Sequence, residues 1–234
     1  AAFFAATGIA FAAVGISGFV DASYDDANQD IAIDEVEVRL SLDNEGTVGG
    51  VVELTTSLDG TTAESIDTEQ VYLTYALADG SSLKIGNFES TLGFDAYDAD
   101  GLIANSAGLT SMGTGYDSGI QYSSGDLTLG LLEAGNKLSG DSYVVEASYS
   151  MDLGNGLNAF VGARLNEAND QQLVNGYLTY ESGAATYFVE MYDNDNGNEG
   201  TQYGVVYAYS DTASVTARIA EENDADSWTI AHAS

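Results

Sequence analysis

From residue 14 to residue 234 the chain repeats one unit: about ten residues alternate apolar and polar, then a Gly/Asp/Asn turn reverses the direction. Val36, Val38, Leu40 and Leu42 share one face, and Glu35, Glu37, Arg39 and Ser41 the other. Tyr143, Val145, Ala147, Tyr149 and Met151 likewise oppose Glu146, Ser148, Ser150 and Asp152. Period two with one wholly apolar face is strand, not helix. Fourteen such strands can be read. The connections alternate as well. Asp43–Gly46, Asp79–Gly80, Ser123–Asp126, Asp152–Gly156, Glu181–Ala184 and Ser210–Thr212 are short. Asp25–Asp30, Leu58–Asp67, Glu89–Gly113, Ala134–Asp141, Asn166–Gln171, Asp193–Gly200 and Glu221–Asp226 are longer or acidic. This sorting onto opposite rims predicts an all-β, transmembrane, antiparallel up-and-down β-barrel with short periplasmic turns and long external loops. A soluble sandwich or propeller has no reason to sort its loops this way.

Composition is compatible with that reading. The mean hydropathy of −0.06 looks soluble, but only every second residue of a barrel strand faces lipid. Beyond the first 20 residues no stretch reads as a transmembrane helix. The chain has no proline, as expected when nearly every N–H serves a ladder, and no cysteine, which fits an exported chain. Its net charge of −32, from 37 acids against 5 bases, excludes nucleic acid as a partner and suits cations. Residues 1–13, AAFFAATGIAFAA, stand apart as apolar and uncharged, and Ala10–Phe11–Ala12 is an A-x-A pattern. They read as the remnant of a secretory signal peptide, against the alternative of an N-terminal assembly helix. The barrel then occupies residues 14–234.

A barrel with an apolar outside and a polar inside is expected to be a pore. Of the five bases, Arg39, Lys84, Arg164 and Arg218 fall on polar strand faces, and Lys137 in a loop. A charge facing lipid at mid-membrane costs roughly 2–4 kcal/mol, so the lumen is their expected place. Glu35, Glu37, Glu53, Glu146 and Glu190 are expected on the same wall. They outnumber the bases, which predicts cation preference. Structural ion pairing within a wet lumen is the competing reading of these charges. Tyr24, Tyr75, Tyr122, Tyr143, Tyr149, Tyr180, Tyr187, Tyr203 and Tyr209 lie near strand ends, where interfacial girdles form. Their ordinary β-propensity is the alternative explanation.

Two segments tie the chain to a family. VYLTYALADGSSLKIGNFESTLGFDAYDADG (Val71–Gly101) resembles the strand–turn–strand of Gram-negative general-diffusion porins, and VGISGFVDASYDD (Val14–Asp26) resembles their first strand. The resemblance implies that Glu89–Gly113 is the third external loop, folded into the barrel to narrow it. Glu89, Asp95, Asp98 and Asp100 would then face the basic strip across the constriction. It also implies a homotrimer in the outer membrane, passing small hydrophilic solutes and ions passively. The family's barrels have about sixteen strands and end on an aromatic residue, so the C-terminus is expected to be incomplete by two strands.

No catalytic constellation is present: there is one histidine, His232, and no G-x-S-x-G or H-E-x-x-H. An enzyme is therefore not expected, nor a cofactor. Asp193, Asp195 and Glu199 resemble a fragment of a calcium loop but do not supply a full ligand set, so a solvated acidic loop is expected. Calcium bridging of external loops is the one metal role left open. The competing function is an extracellular structural protein, a filament or surface-layer subunit, with those loops binding calcium.

Overall fold

The computed structural model describes residues 13–25, 30–44, 46–59, 62–63, 66–95, 109–110, 112, 114–133, 143–167, 171–195, 197–210, 213–223 and 225–233. Residues 1–12, Asp98, Asp100, Gly113 and Lys137 lie outside them. The chain divides into two compact units, Ala1–Asn87 and Phe88–Ser234.

The first unit contains β1 (Ala13–Asp25), β2 (Asp30–Asn44), β3 (Val48–Asp59), the two-residue β4 (Thr62–Ala63), β5 (Asp67–Ala76) and most of β6 (Ser82–Glu89). Its long strands pair antiparallel in sequence order, and β4 adds to β3. The second unit contains β7 (Tyr116–Ser124), β8 (Leu127–Glu133), β9 (Tyr143–Gly154), β10 (Leu157–Asn166), β11 (Gln171–Ser182), β12 (Ala185–Asn194), β13 (Asn198–Ser210), β14 (Ala213–Glu222) and β15 (Ala225–Ala233). These too pair antiparallel, each with the next. With β4 set aside, fourteen strands are present among the described residues, as the alternation predicts. Most are long enough to cross a membrane obliquely. No helix among the described residues is long and apolar enough to do so.

The short turns follow from local chemistry. Asn155 and Gly156 both have positive φ, 55° and 80°, the pattern of a type I′ Asn-Gly hairpin whose twist matches its strands. An added Cβ at Gly156 would meet the Glu181 carbonyl oxygen at 2.6 Å. Gly156→Val is therefore expected to cost about 1–2 kcal/mol, read as a lower urea midpoint in lipid vesicles. In the Asp79–Gly80 turn, the Ser81 hydroxyl and N–H both donate to Asp79 and hold its carboxyl below the usual range.

One expectation of the sequence needs correction. Asp193 and Glu199 are strand residues facing each other across the β12–β13 ladder; β12 runs to Asn194 and β13 starts at Asn198, with Gly197 just before it at φ 86°. Similarly, β14 runs to Glu222 and β15 starts at Ala225. Ladder hydrogen bonds use backbone groups alone, so pairing continues past the point where the apolar alternation stops.

Candidate functional site

The polarity of the strands is reversed relative to a soluble protein. Glu53, Glu146, Glu190, Asn175 and Gln202 are at most 2% exposed. Leu131, Val145, Leu178, Met191 and Ile219 are 39–59% exposed. Soluble folds bury the apolar set and leave charged residues outside. Here one face of the strands buries polar side chains, and the other exposes large apolar ones.

In the first unit, register sets the wall contacts. Arg39 stands opposite Glu53, and its Nε donates to Glu53 Oε2 at 2.6 Å. Arg39 also lies 3.8 Å from Glu37. Gln70 Nε2 donates to both Glu53 oxygens, at 3.1 and 3.3 Å. Thr55 donates to Glu35, and the carboxylates of Glu35, Glu37 and Glu69 lie within 4.8 Å of one another. The Lys84 ammonium sits over the Tyr72 ring, 4.9 Å from its centroid.

In the second unit, the segment after β6 leaves the sheet and lies back on the polar wall. Ser90 Oγ donates to Glu146 Oε2 at 2.7 Å, while the Thr91 N–H and hydroxyl both donate to Glu146 Oε1 at 2.9 Å. The Gly93 N–H reaches Asn175 Oδ1 at 3.0 Å, and the Phe94 N–H reaches Glu190 Oε1 at 2.8 Å. Asp95 meets Arg218 at 3.0 Å with both side chains buried. On the returning limb, the Thr110 N–H and hydroxyl donate to Glu222 Oε2, and the Tyr192 hydroxyl donates to Glu222 Oε1.

Between these polar ties lies an apolar seat. Leu92, Leu109 and Met112 of the loop are buried with Phe160, Leu173, Tyr192 and Ala220 of the wall. Phe94 stacks on Phe188 at 4.8 Å, and Phe160 stacks on Tyr177 at 4.5 Å. Glycine makes room for this seat. An added Cβ at Gly162 would run into Leu92, and one at Gly200 would meet Leu109 Cδ2 at 2.8 Å.

The sequence-selected residues fall as follows. Glu37, Glu53, Glu146, Glu190 and Arg218 are buried on the polar wall, and Glu35, Arg39, Lys84 and Arg164 are half-buried there. Arg164 bridges Asp117 at 2.6 Å and lies 3.4 Å from its ladder neighbour Glu146. Glu89 ends β6. Asp193 and Glu199 are exposed on the outward face, and Asp195 is in the turn between their strands. Among the described residues, the three carboxylates grouped closely enough for a shared cation are those of Glu35, Glu37 and Glu69. Sequence reasoning missed Asp117, Asn175, Gln202 and Glu222, and it missed the wall aromatics. The available signal was an aromatic at a polar-face position, such as Phe160 between Asn158 and Gly162.

No family model matches the chain, and no curated protein matches it. Solved structures do. Two variants of the porin from Rhodopseudomonas blastica are 13% and 14% identical to it and superpose with TM-scores of 0.56 and 0.55. A third structure, described under asymmetric conductivity of engineered proteins, is 14% identical with a TM-score of 0.51. Each match covers 94% of this chain and 98% of the other. At this identity the likeness speaks to the fold, and the fold expected from the alternation is the one found: an all-β, antiparallel up-and-down barrel of the porin type.

Proposed function

We propose that the protein is an outer-membrane porin of a Gram-negative bacterium, a water-filled channel through which small hydrophilic solutes and ions diffuse passively. The observation that carries this reading is the reversed polarity. The exterior presents Leu131, Val145, Leu178 and Ile219, while Glu53, Glu146, Glu190 and Arg218 sit on the inner wall. An apolar exterior of this extent is stable only against lipid or a covering partner, and a wall of charge is stable only against water or its own ions. The loop segment held on that wall narrows the passage. No energy source or cofactor enters the account.

Cation preference follows from the charge balance, with 37 acids against 5 bases in the chain and the Glu35–Glu37–Glu69 group on the wall. Assembly as a homotrimer is part of the same reading. The outward face of β1 supports it, since Val14, Ile16 and Val20 are exposed beside the small residues Gly18 and Ala22.

Liposome swelling tests the channel. Vesicles carrying the refolded protein are expected to swell in small sugars, with rates falling as solute size rises. Swelling no faster than in protein-free vesicles would contradict it.

A further inference from the structure

We propose that the outward face of β10–β14 carries a binding groove for a phospholipid with a primary ammonium headgroup, at the edge of the apolar band. This inference rests on the membrane reading above.

A groove of about 510 Å³ opens on that face, within the range of small-ligand sites, roughly 300–1,000 Å³. Register builds it. Val161, Gly176, Met191, Thr201 and Glu221 are successive ladder partners, one from each strand. The next row sets Val174 opposite Asp193, and Asp193 opposite Glu199. Gly176, between Val161 and Met191, leaves the gap in the first row.

The two ends of the groove differ in chemistry. Val161, Val174 and Met191 are exposed and make one end apolar. Asp193, Glu199 and Glu221 are exposed and make the other end acidic. Among the described residues of β10–β14 no lysine or arginine shares this face, since Arg164 and Arg218 turn to the polar wall, toward Asp117 and Asp95. Asp193 and Glu199 stand directly opposite each other, where like charges repel. Asn223 holds the backbone beneath them. Its N–H donates to the Glu199 carbonyl at 3.0 Å, and its Oδ1 accepts from the Glu199 N–H at 3.1 Å.

This juxtaposition selects the occupant. An apolar surface that meets lipid takes an acyl chain. The acidic end repels a bare phosphate and attracts a cation. A primary ammonium lipid meets both conditions in one molecule, with N–H donors for the carboxylates on a headgroup joined to the chain. A quaternary ammonium carries the charge without the donors. Tyr203, the outward residue of β13 next to Thr201, is exposed, and tyrosines gather at headgroup level. The acids beyond it therefore lie among headgroups.

The groove can be filled without touching charge. An added Cβ at Gly176 would meet the Phe160 carbonyl oxygen at 3.4 Å, an ordinary contact. Gly176→Leu therefore fits the sheet and occupies the gap.

Native mass spectrometry of the refolded full chain tests this, after release from vesicles of phosphatidylethanolamine, phosphatidylcholine and phosphatidylglycerol with matched chains. Wild type is expected to retain phosphatidylethanolamine severalfold more often than phosphatidylcholine, with or without EDTA. D193N/E199Q is expected to bring the two to parity, and G176L to lower retention of both severalfold. Heat-modifiable migration checks folding; should G176L not fold, D193N/E199Q and the headgroup series still decide. Equal retention of the two lipids by wild type would overturn the ammonium assignment. Retention of phosphatidylglycerol that EDTA abolishes would overturn it in favour of a divalent cation bridging the acids to phosphate. A preference unchanged in both variants would overturn the site. Wild type that conducts but retains no lipid would overturn this inference alone. Wild type that fails to insert would overturn the membrane reading, and this inference with it.

Discussion

Replacing Arg218 with methionine is expected to loosen the 90–95 segment and, in the proposed channel, to shift selectivity toward cations at the same time. Arg218 is 4% exposed and meets Asp95 at 3.0 Å. Gln202 Nε2, at 3.4 Å, is a long contact to the same carboxylate oxygen. Removing one member of a buried pair typically costs about 3–5 kcal/mol because the other charge stays behind. The loop can escape part of that cost by swinging Asp95 into water, which breaks the neighbouring ties at Phe94 and Gly93. The expected result is a lower urea midpoint, noisier and larger channel currents, and a reversal potential shifted further toward the cation limit, since a positive charge has left the wall. Wild-type noise with an unshifted reversal potential would show that the pair neither holds the loop nor acts on passing ions.

Leu178→Arg is the second large effect, and it tests the orientation of the sheet. Leu178 is mid-strand in β11 and 45% exposed on the apolar face, while Thr179, the next residue, points to the other face. Arginine at the bilayer midplane costs about 2–4 kcal/mol. The same arginine at a water-lined wall avoids that penalty, so Leu178→Arg should reduce folding into vesicles far more than Thr179→Arg. Heat-modifiable migration across a urea series reads the difference. Equal folding of the two variants would mean that the Leu178 face does not meet lipid.

What the sequence made legible follows from these faces. Strand number, pairing order and the placement of Arg39, Glu53, Glu146, Glu190 and Arg218 on the polar strand face were all readable, because alternation is a local property and each hairpin turn carries its own Gly or Asn signal. Register was not readable: a turn closing Asp43 on Gly46 would set Arg39 opposite Gly50, whereas Asn44 pairs with Val48 and Arg39 falls opposite Glu53. The loop's attachment was not readable. Thr91 meets Glu146 across 55 positions and Asp95 meets Arg218 across 123, and no local pattern encodes such pairs. The seat was obscured for another reason. Phe160, Tyr177, Phe188 and Tyr192 break the polar face, and an aromatic there looks like ordinary strand composition until something is seen packed on it. The acidic strand ends were misjudged because hydrophobic alternation marks the apolar band, whereas backbone pairing carries Asp193 and Glu199 beyond it.

We propose that these strands, apolar on one face and charged on the other, line a conducting path. Planar-bilayer recording of the purified, heat-modifiable protein in a salt gradient tests it most directly. Stable stepwise conductance with a reversal potential of cation sign is the predicted result. Protein that is folded and inserted yet gives no conductance steps would contradict it.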